Sequence, residues 1–180
     1  MGSPKQLLPL SGQSLLRRAA RVAVATGCRP AAVVLGRDAD ALRGELAGLD
    51  VTAVHNPEWS LGMGSSIRAG VAAVLSADVA GVVVTLCDQP HVDANAIATL
   101  IERFHRTGGG AVAARYAGTV GVPAVFGRAM FPALLSLDRT GGAKGLLSGP
   151  DVVTIDLPTA AVDIDTPEDY RQLCDREPLR

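Results

Sequence analysis

The sequence is poor in features that mark several specialised classes of protein. Its 17 basic and 18 acidic side chains nearly cancel, which leaves no positive surplus for holding nucleic acid or an anionic membrane surface. No apolar run approaches the roughly 20 residues that span a bilayer, and the N-terminus lacks the pattern of a signal peptide. These absences predict a cytoplasmic protein with no nucleic-acid and no membrane partner.

Cysteine is also scarce, and its placement is uninformative for metal or disulfide chemistry. Cys28, Cys87 and Cys174 are odd in number, far apart and outside any CxxC pair. The three histidines show no HExxH spacing. We therefore expect free thiols in a reducing compartment, and no metal site built from nitrogen and sulfur ligands.

The 180 residues, of which 48% are hydrophobic, suffice for one core, so we predict a single domain over 1–180. Short β-prone apolar runs alternate with longer helical segments, which is typical of βαβ units. We predict an α/β, Rossmann-like three-layer sandwich with a mostly parallel sheet. The predicted strands cover 31–36, 51–55, 82–86, 110–115, 120–126, 152–156 and 161–164. Those at 110–115 and 120–126 flank Ala117-Gly118, which suggests a turn between them. The predicted helices cover 13–27, 38–48, 67–77, 93–107 and a last segment from 166. Asp38 is expected to cap the second helix, and Pro167 is expected at the first position of the last one.

A lysine lies in a glycine-bearing loop at the N-terminus, in the segment Gly2-Ser3-Pro4-Lys5. Backbone N–H groups and a compact ammonium suit a polyphosphate. The chain has 15 arginines but only two lysines, Lys5 and Lys144, and a retained lysine indicates a position that favours a point charge. The alternative is an ordinary solvated lysine.

Two glycines and two serines, Gly62, Gly64, Ser65 and Ser66, open a predicted helix after a strand. The free N–H groups of a helix N-terminus and the serine hydroxyls are suited to a nucleobase edge or a ribose. The alternative is structural: a serine-capped helix whose glycines permit close packing.

Carboxylates occur at two strand ends. Asp88 follows the strand at 82–86, and ligands bind outside the carboxyl ends of strands in parallel α/β sheets. Asp163 and Asp165 alternate at the end of the predicted strand at 161–164. Oxygen ligands of this kind fit Mg²⁺ when substrate phosphates complete its shell. The alternative for each cluster is a cap on the following helix.

In their residue identities and their order along the chain, these segments strongly resemble the molybdenum cofactor cytidylyltransferase family within the MobA-like nucleotidyltransferases. The resemblance extends over essentially the whole chain. It rests on the segments at 4–9 (PKQLLP), 62–70 (GMGSSIRAG), 87–90 (CDQP) and 163–169 (DIDTPED), with further likeness at 121–126 and 141–147.

The resemblance implies a fold of the nucleotide-diphospho-sugar transferase type and a defined reaction. An acceptor phosphate attacks a nucleoside triphosphate, with CTP favoured, and pyrophosphate is released with Mg²⁺ as the cofactor. The implied acceptor is of the molybdopterin type, and a molybdoenzyme is an expected further partner. The implied residues are Lys5 and Asp88 as catalytic groups; Gly2, Pro4, Lys5, Gly62, Gly64, Ser65 and Ser66 for the nucleotide; Asp88 and Asp165, with Asp163 in reserve, for the metal; and Tyr116, Pro123 and Lys144 for the acceptor.

Two other functions remain open at this point. A non-catalytic protein that binds or delivers the molybdenum cofactor would keep the acceptor pocket alone. A nucleotidyltransferase for another small phosphorylated acceptor would keep the same metal and nucleotide residues.

The start of the sequence differs from the family pattern, in which a strand and a glycine-rich loop come first. Such a leading strand normally lies between the strands predicted at 31–36 and 82–86. We therefore expect about 15 to 25 further residues upstream, or another segment in that place. Either arrangement predicts that the strands at 31–36 and 82–86 do not pair directly.

Overall fold

A computed structural model describes residues 4–76, 78–108, 110–138 and 140–176, without the side chain of Arg176. Its helices bear out most of the helical periodicity in the sequence. The α-helices are α1 (Leu15–Ala25), α2 (Ala39–Gly44), α3 (Met63–Val74), α4 (Ala94–Thr107), α5 (Phe131–Leu135) and α6 (Pro167–Arg176). Short 3₁₀ turns cover Lys5–Leu7, Trp59–Leu61, Arg128–Met130, Ala143–Leu147 and Pro158–Ala161.

The strands fall into three groups. They are β1 (Pro9–Leu10), β2 (Gln13–Ser14), β3 (Ala32–Leu35), β4 (Thr52–His55), β5 (Gly81–Val84), β6 (Ala111–Tyr116), β7 (Thr119–Gly127) and β8 (Val152–Asp156). β1 and β2 form a small antiparallel hairpin, while β3 and β4 form a parallel pair. The remaining strands form one sheet in the order β5-β7-β6-β8.

The α/β class is confirmed, and the larger sheet is mixed rather than mostly parallel. β6 and β7 are joined through the turn at Ala117–Gly118, where both residues have positive φ. β7 therefore runs antiparallel to β5 and to β6, whereas β6 and β8 are parallel. The turn was expected from the sequence, but its effect on the direction of the whole sheet was not.

Helices cover both faces of the larger sheet, as a three-layer sandwich requires. Alternate residues of β6 point to opposite faces because side chains alternate along a strand. Ala111 and Ala113 pack in the cluster that includes α3 and α5. Val112 packs with Leu100 and Phe104 of α4. The two apolar faces of β6 explain why its sequence is continuously apolar from Ala111 to Ala114.

The strands β3 and β5 lie in separate sheets. β3 pairs with β4 and β5 pairs with β7, and no ladder joins β3 to β5 in the part of the chain that the structure describes. Direct pairing between these two strands, which the sequence argued against, is therefore not observed. Each has one edge without a strand neighbour among the described residues.

The prediction of a strand at 161–164 is wrong. Pro158 begins a 3₁₀ turn that ends at Ala161, and residues 162–165 follow without a ladder. The proline ring restricts φ at the start of that turn, and Ala160 within it is fully buried. The segment is held by packing instead of by strand pairing.

Several helix and strand boundaries also differ from the prediction. α3 begins at Met63 instead of 67, α2 ends at Gly44 instead of near 48, and β5 ends at Val84 instead of 86. Asp38 precedes α2 as predicted, but its side chain makes no capping hydrogen bond and its φ is 60°. None of the described helices is both long and apolar enough to cross a membrane.

Candidate active site

The centre of the candidate site is an ammonium group held between two carboxylates. Nζ of Lys5 lies 2.7 Å from Oδ2 of Asp88 and 2.7 Å from Oδ1 of Asp165. These residues are 83 and 160 positions from Lys5 in the sequence, so only the fold brings them together. Three of the predicted site residues thus form one contiguous cluster.

Packing of the two chain ends against each other positions Lys5 beside Asp165. Leu10 and Leu15, which follow Lys5, form an apolar cluster with Ile164 and Leu173. The phenol of Tyr170 in α6 also donates a hydrogen bond to the carbonyl of Pro9. The N-terminal segment is therefore fixed to the segment that carries the second carboxylate.

Ile164 fixes the carboxylates on either side of it. Its side chain is fully buried, and its N–H donates to the carbonyl of Asp88 over 3.0 Å. Because neighbouring side chains in extended backbone point in opposite directions, Asp163 and Asp165 face away from the core. The alternation of carboxylates in the sequence thus has a structural cause.

Charge and burial perturb the groups of this cluster. Burial by itself lowers the pKa of Lys5, but the hydrogen bonds to Asp165 and Asp88 outweigh it and raise that pKa above its usual value. Burial, followed by the charges of Asp165 and Asp88, raises the pKa of Asp163. Lys5 is therefore held as a cation, and Asp163 experiences the negative charge of its neighbours.

The cluster offers oxygen ligands of the kind that divalent cations prefer. Oδ1 of Asp88 is buried and has no hydrogen-bond partner among the residues that the structure describes, while Oδ2 contacts Lys5. Such a free buried carboxylate oxygen fits Mg²⁺ or Mn²⁺, whose remaining ligands are usually water and substrate phosphate. No group of three or more His, Cys, Asp or Glu side chains suited to a metal occurs among the described residues. The donor set therefore fits a cation that arrives with further oxygen ligands.

Two neighbours of these carboxylates have other roles. The carboxylate of Asp169 accepts hydrogen bonds from the N–H and the hydroxyl of Thr166, both 2.7 Å long, and so caps α6. Burial, together with the charge of Asp88, raises the pKa of the Cys87 thiol to about 11. Cys87 is therefore protonated at neutral pH and does not act as a thiolate nucleophile.

Four of the predicted nucleotide residues, Gly62, Gly64, Ser65 and Ser66, lie at the N-terminus of α3. Gly62 precedes the helix with a φ of 120°, which favours glycine. Gly64 lies directly against another loop, since a Cβ there would be 1.9 Å from the carbonyl oxygen of Asp138. Close packing, which was the alternative reading of the glycines, thus accounts for Gly64.

A buried asparagine organises the serines of this segment. Nδ2 of Asn56 donates to the hydroxyls of Ser65 and Ser66 over 2.9 and 3.0 Å. The Ser65 hydroxyl is itself within hydrogen-bonding distance of two carbonyls and is buried, whereas Ser66 is only half-buried. Of the two serines, Ser66 is the more accessible to a ligand. Sequence reasoning gave Asn56 no role, although it directly follows β4, the strand that precedes these glycines and serines.

A cleft of about 580 Å³ opens beside this segment, at the carboxyl ends of β3 and β4. The guanidinium of Arg37 stacks over the ring of Trp59 at 4.6 Å from its centroid. Trp59 also packs directly against Gly36, because a Cβ added to Gly36 would lie 2.5 Å from the Cβ of Trp59. The cleft therefore has an aromatic wall at Trp59, and its lining carries both arginine and aspartate side chains.

Gln89 connects the carboxylate cluster to the predicted acceptor residues. Its amide nitrogen lies 3.1 Å from the carbonyl of Val122, 2.9 Å from that of Ala160 and 3.4 Å from the phenol oxygen of Tyr116. Because carbonyls only accept hydrogen bonds, the nitrogen must face them. Gln89, which directly follows Asp88, is therefore linked by hydrogen bonds to Tyr116 and to β7, the strand that carries Pro123. Its place directly after Asp88 is the sequence signal that could have revealed it.

The structure gathers some predicted residues and leaves others apart. Tyr116 and the buried Pro123 lie near Gln89 through the contacts above. Lys144 is exposed on the turn Ala143–Leu147, and no hydrogen bond or ion pair joins its ammonium to Tyr116 or Pro123 in the described part of the chain. Pro4 directly precedes the turn that carries Lys5, whereas Gly2 lies outside the described residues.

This arrangement of an α/β sandwich, a lysine and strand-end carboxylates agrees with the family comparison. The model of the MobA-like NTP transferase domain matches residues 1–154, which is most of the chain. The chain belongs to the MobA-like NTP transferase family. The resemblance noted in the sequence is thereby confirmed.

Solved structures of members similar to this chain agree over nearly its full length. A homologue of Rv0371c from Mycobacterium sp. strain JC1 is 33% identical, with a TM-score of 0.80 over 98% of this chain and 89% of that one. Rv0371c from Mycobacterium tuberculosis H37Rv is 31% identical, with a TM-score of 0.77 over 97% of this chain and 91% of that one. Rv0371c has also been solved as a complex with manganese.

One curated relative matches a smaller part of the chain. Nicotine blue oxidoreductase from Paenarthrobacter nicotinovorans is 36% identical over 105 residues, which is 58% of this chain. The chain spans half the length of this relative, 50%, in that match. The family assignment therefore rests on the domain match and on the mycobacterial structures.

Proposed function

We propose that this MobA-like nucleotidyltransferase transfers CMP from CTP to the phosphate of a molybdopterin-type acceptor, with Mg²⁺ as its cofactor. One observation carries the proposal: Lys5 lies between Asp88 and Asp165, 2.7 Å from each, and Asp88 keeps a free buried oxygen. A positive charge beside oxygen ligands meets both needs of a nucleoside triphosphate and its divalent cation.

The reaction makes modest demands on the protein. An oxygen of the acceptor phosphate forms a bond to the α-phosphorus of CTP. The bond from that phosphorus to the bridging oxygen breaks, and pyrophosphate leaves with the electron pair. Because a phosphate monoester is largely ionised at neutral pH, its oxygen needs no general base. Positioning and charge stabilisation therefore supply most of the rate enhancement.

The carboxylates and the lysine divide these tasks. Asp88 and Asp165 are the proposed ligands of the divalent cation, and Asp163 is the reserve ligand. When bound, the cation supplies charge neutralisation and orientation for the triphosphate oxygens. Lys5 places a further positive charge where the α-phosphate is expected. The manganese complex of Rv0371c supports a divalent cation in this family.

Other predicted residues are the proposed binding surfaces. Gly62 and Ser66 are the proposed contacts of the nucleoside, and the hydrogen bond from Asn56 to Ser66 supports this choice. Tyr116 and Pro123 are the proposed contacts of the acceptor, which the hydrogen bonds of Gln89 support, and Lys144 is a further candidate. The sequence of residues 4–9 (PKQLLP) resembles the cytidine-using branch of the family more than the guanine-using branch, which supports CTP as the nucleotide. The three cysteines are free, which supports a reducing compartment such as the cytoplasm, where a molybdoenzyme is the expected recipient of the product.

The test is pyrophosphate release by the purified protein with Mg²⁺ and a molybdopterin acceptor. CTP, GTP, ATP and UTP are compared at equal concentration, and each is also assayed without acceptor. We expect acceptor-dependent release that is fastest with CTP. A preference for GTP would overturn the choice of nucleotide, and equal release without the acceptor would overturn the choice of acceptor.

The same protein also tests the non-catalytic alternative. Binding of the molybdopterin acceptor together with no affinity for any of the four nucleotides would indicate a delivery protein. Isothermal titration with each nucleotide and with the acceptor distinguishes the two functions without an activity assay. We expect CTP binding that requires Mg²⁺.

A further inference from the structure

The ammonium of Lys5 occupies the space that a bridging cation would take. It contacts one oxygen of Asp88 and one oxygen of Asp165, each at 2.7 Å. A Mg²⁺ ion held by the same two oxygens would lie about 2.1 Å from each of them. The ammonium and the metal ion cannot both occupy this position, because their contacts to the two oxygens coincide.

The lysine is well held in this position. Its side chain and that of Asp88 are 27% and 15% exposed, so water competes weakly for the pair. Asp165 is more open, at 67%. The ammonium contacts two carboxylates, those of Asp88 and Asp165, and its positive charge also acts on Asp163. The free protein therefore already contains a cation at this place.

We propose that Lys5 is a tethered counter-ion that fills the divalent-cation position in the free protein and leaves it only when the metal enters together with a nucleoside triphosphate. This inference rests on the proposed function, since it assumes that the same carboxylates hold the metal. The triphosphate supplies the ammonium with a new anionic partner. Metal binding without nucleotide is then weak, and the metal and the nucleotide bind cooperatively.

Linkage gives this proposal a measurable consequence. If the ammonium and the metal exclude each other, removing the ammonium must raise the affinity for the metal alone. A lysine that only supported the carboxylates would have the opposite effect, because its loss would leave them mutually repelled and misplaced. The direction of the change therefore distinguishes the two roles.

The first experiment titrates Mn²⁺ alone into the nucleotide-free protein and follows free Mn²⁺ by electron paramagnetic resonance. Lys5→Met is compared with the unaltered chain and with Arg103→Met, which removes a positive charge from an exposed position of α4. We expect Lys5→Met to bind Mn²⁺ at least about tenfold more tightly, and Arg103→Met to match the unaltered chain. Equal or weaker binding by Lys5→Met overturns the proposal.

A second measurement uses the unaltered chain and so does not depend on the variant. Because the sequence has only two lysines, ¹⁵N-lysine labelling gives one side-chain signal for Lys5 and one for Lys144. We expect Mg²⁺ with CTP to move the Lys5 signal further than it moves the Lys144 signal. An unmoved Lys5 signal in a sample in which Mg²⁺ and CTP are shown to bind overturns the proposal.

Adding Asp165→Asn to Lys5→Met separates this inference from the proposed function. We expect the double variant to lose the tight Mn²⁺ binding. If Lys5→Met binds Mn²⁺ tightly but the unaltered protein transfers no nucleotide, the counter-ion proposal is retained and the proposed function is overturned. If the protein transfers nucleotides but Lys5→Met leaves the Mn²⁺ affinity unchanged, the proposed function is retained and the counter-ion proposal is overturned. If the double variant still binds Mn²⁺ tightly, the metal is bound at another position and the counter-ion proposal is overturned.

Discussion

The centre of the larger sheet and the strands β3 and β5 are made of similar residues but differ in burial. In β6, Ala111 to Ala114 are all at most 2% exposed. In β5, which contains three consecutive valines, every residue is only half-buried. β3 is also half-buried, except at Leu35. An apolar sequence therefore predicts a strand without predicting how deeply the strand is buried.

Strand pairing explains this difference. β6 lies between β7 and β8, and β7 lies between β5 and β6. β3 and β5 each have one paired edge in the part of the chain that the structure describes. The candidate site follows the less covered strands: Asp88 comes after β5, and Asn56 comes after β4, the partner of β3. We infer that the paired centre provides stability and that the open side provides the site.

The largest effect is expected from Asp88→Asn, which tests the site side of this comparison. Loss of an oriented charge at the reacting centre should lower the rate of CTP-dependent pyrophosphate release by about 10²- to 10³-fold. Asp78→Asn is the matched control, since Asp78 is exposed and lies before β5, at the end opposite Asp88. An unchanged rate in Asp88→Asn would remove Asp88 from the reaction.

Gly64→Ala tests whether the segment at the start of α3 is tightly packed against the loop that contains Asp138 and Gly141. The new Cβ would lie 1.9 Å and 2.5 Å from the carbonyl oxygens of Asp138 and Gly141. Because backbone must move to admit it, the free energy of unfolding should fall by about 2 to 3 kcal/mol. Urea denaturation measures the change. Gly44→Ala, where nothing lies within 4 Å, should be neutral or stabilising by up to about 1 kcal/mol.

A pair of valine substitutions tests the comparison directly. Val125 of β7 lies opposite Val83 on one side and Val112 on the other. Val112→Ala should lower the free energy of unfolding by about 2 to 3 kcal/mol, because Val112 is 1% exposed and a cavity would remain. Val83→Ala should cost about 1 kcal/mol, because Val83 is only half-buried. Equal costs in chemical denaturation would contradict the link between pairing and burial.

The smallest effect is expected from Asp163→Asn. Burial, and then the charges of Asp165 and Asp88, raise the pKa of Asp163. The folded chain therefore binds this proton more tightly than the unfolded chain, and ionisation lowers stability as the pH rises above the usual aspartate value. The variant should gain about 0.5 kcal/mol at pH 7, since solvent screens the exposed carboxyl, and should gain nothing near pH 3.

Thermal unfolding at both pH values checks this prediction, with Asp78→Asn as the control. Stabilisation of equal size at pH 3 and pH 7 would show that charge is not its cause. Destabilisation at pH 7 would show that Asp163 makes a favourable interaction that the neighbouring carboxylates do not outweigh.

Local patterns in the sequence sufficed for most of the longer elements and for the family, but not for β1, β2 and α5. The periodicity around α4 predicted that helix almost to the residue, and the structure shows that Asp93 caps it. Pro167 at the start of α6 was equally informative. The segment at 161–164 misled, because its apolar alternation arises from Ala160 and Ile164 entering separate clusters and not from a strand. Short apolar alternation alone does not distinguish these cases.

The sequence by itself determined which residues could carry charge and ligands: Lys5, Asp88 and the carboxylates at 163 and 165. Only the tertiary structure decided that one ammonium joins Asp88 to Asp165, and that Gln89 faces Tyr116. The physical reason is that periodicity and capping act over a few residues. Contacts across 83 or 160 positions depend instead on which strands pair and which apolar clusters close. Burial of β5 and β6 differs for the same reason, since neighbours in space, and not composition, determine how much water reaches a strand.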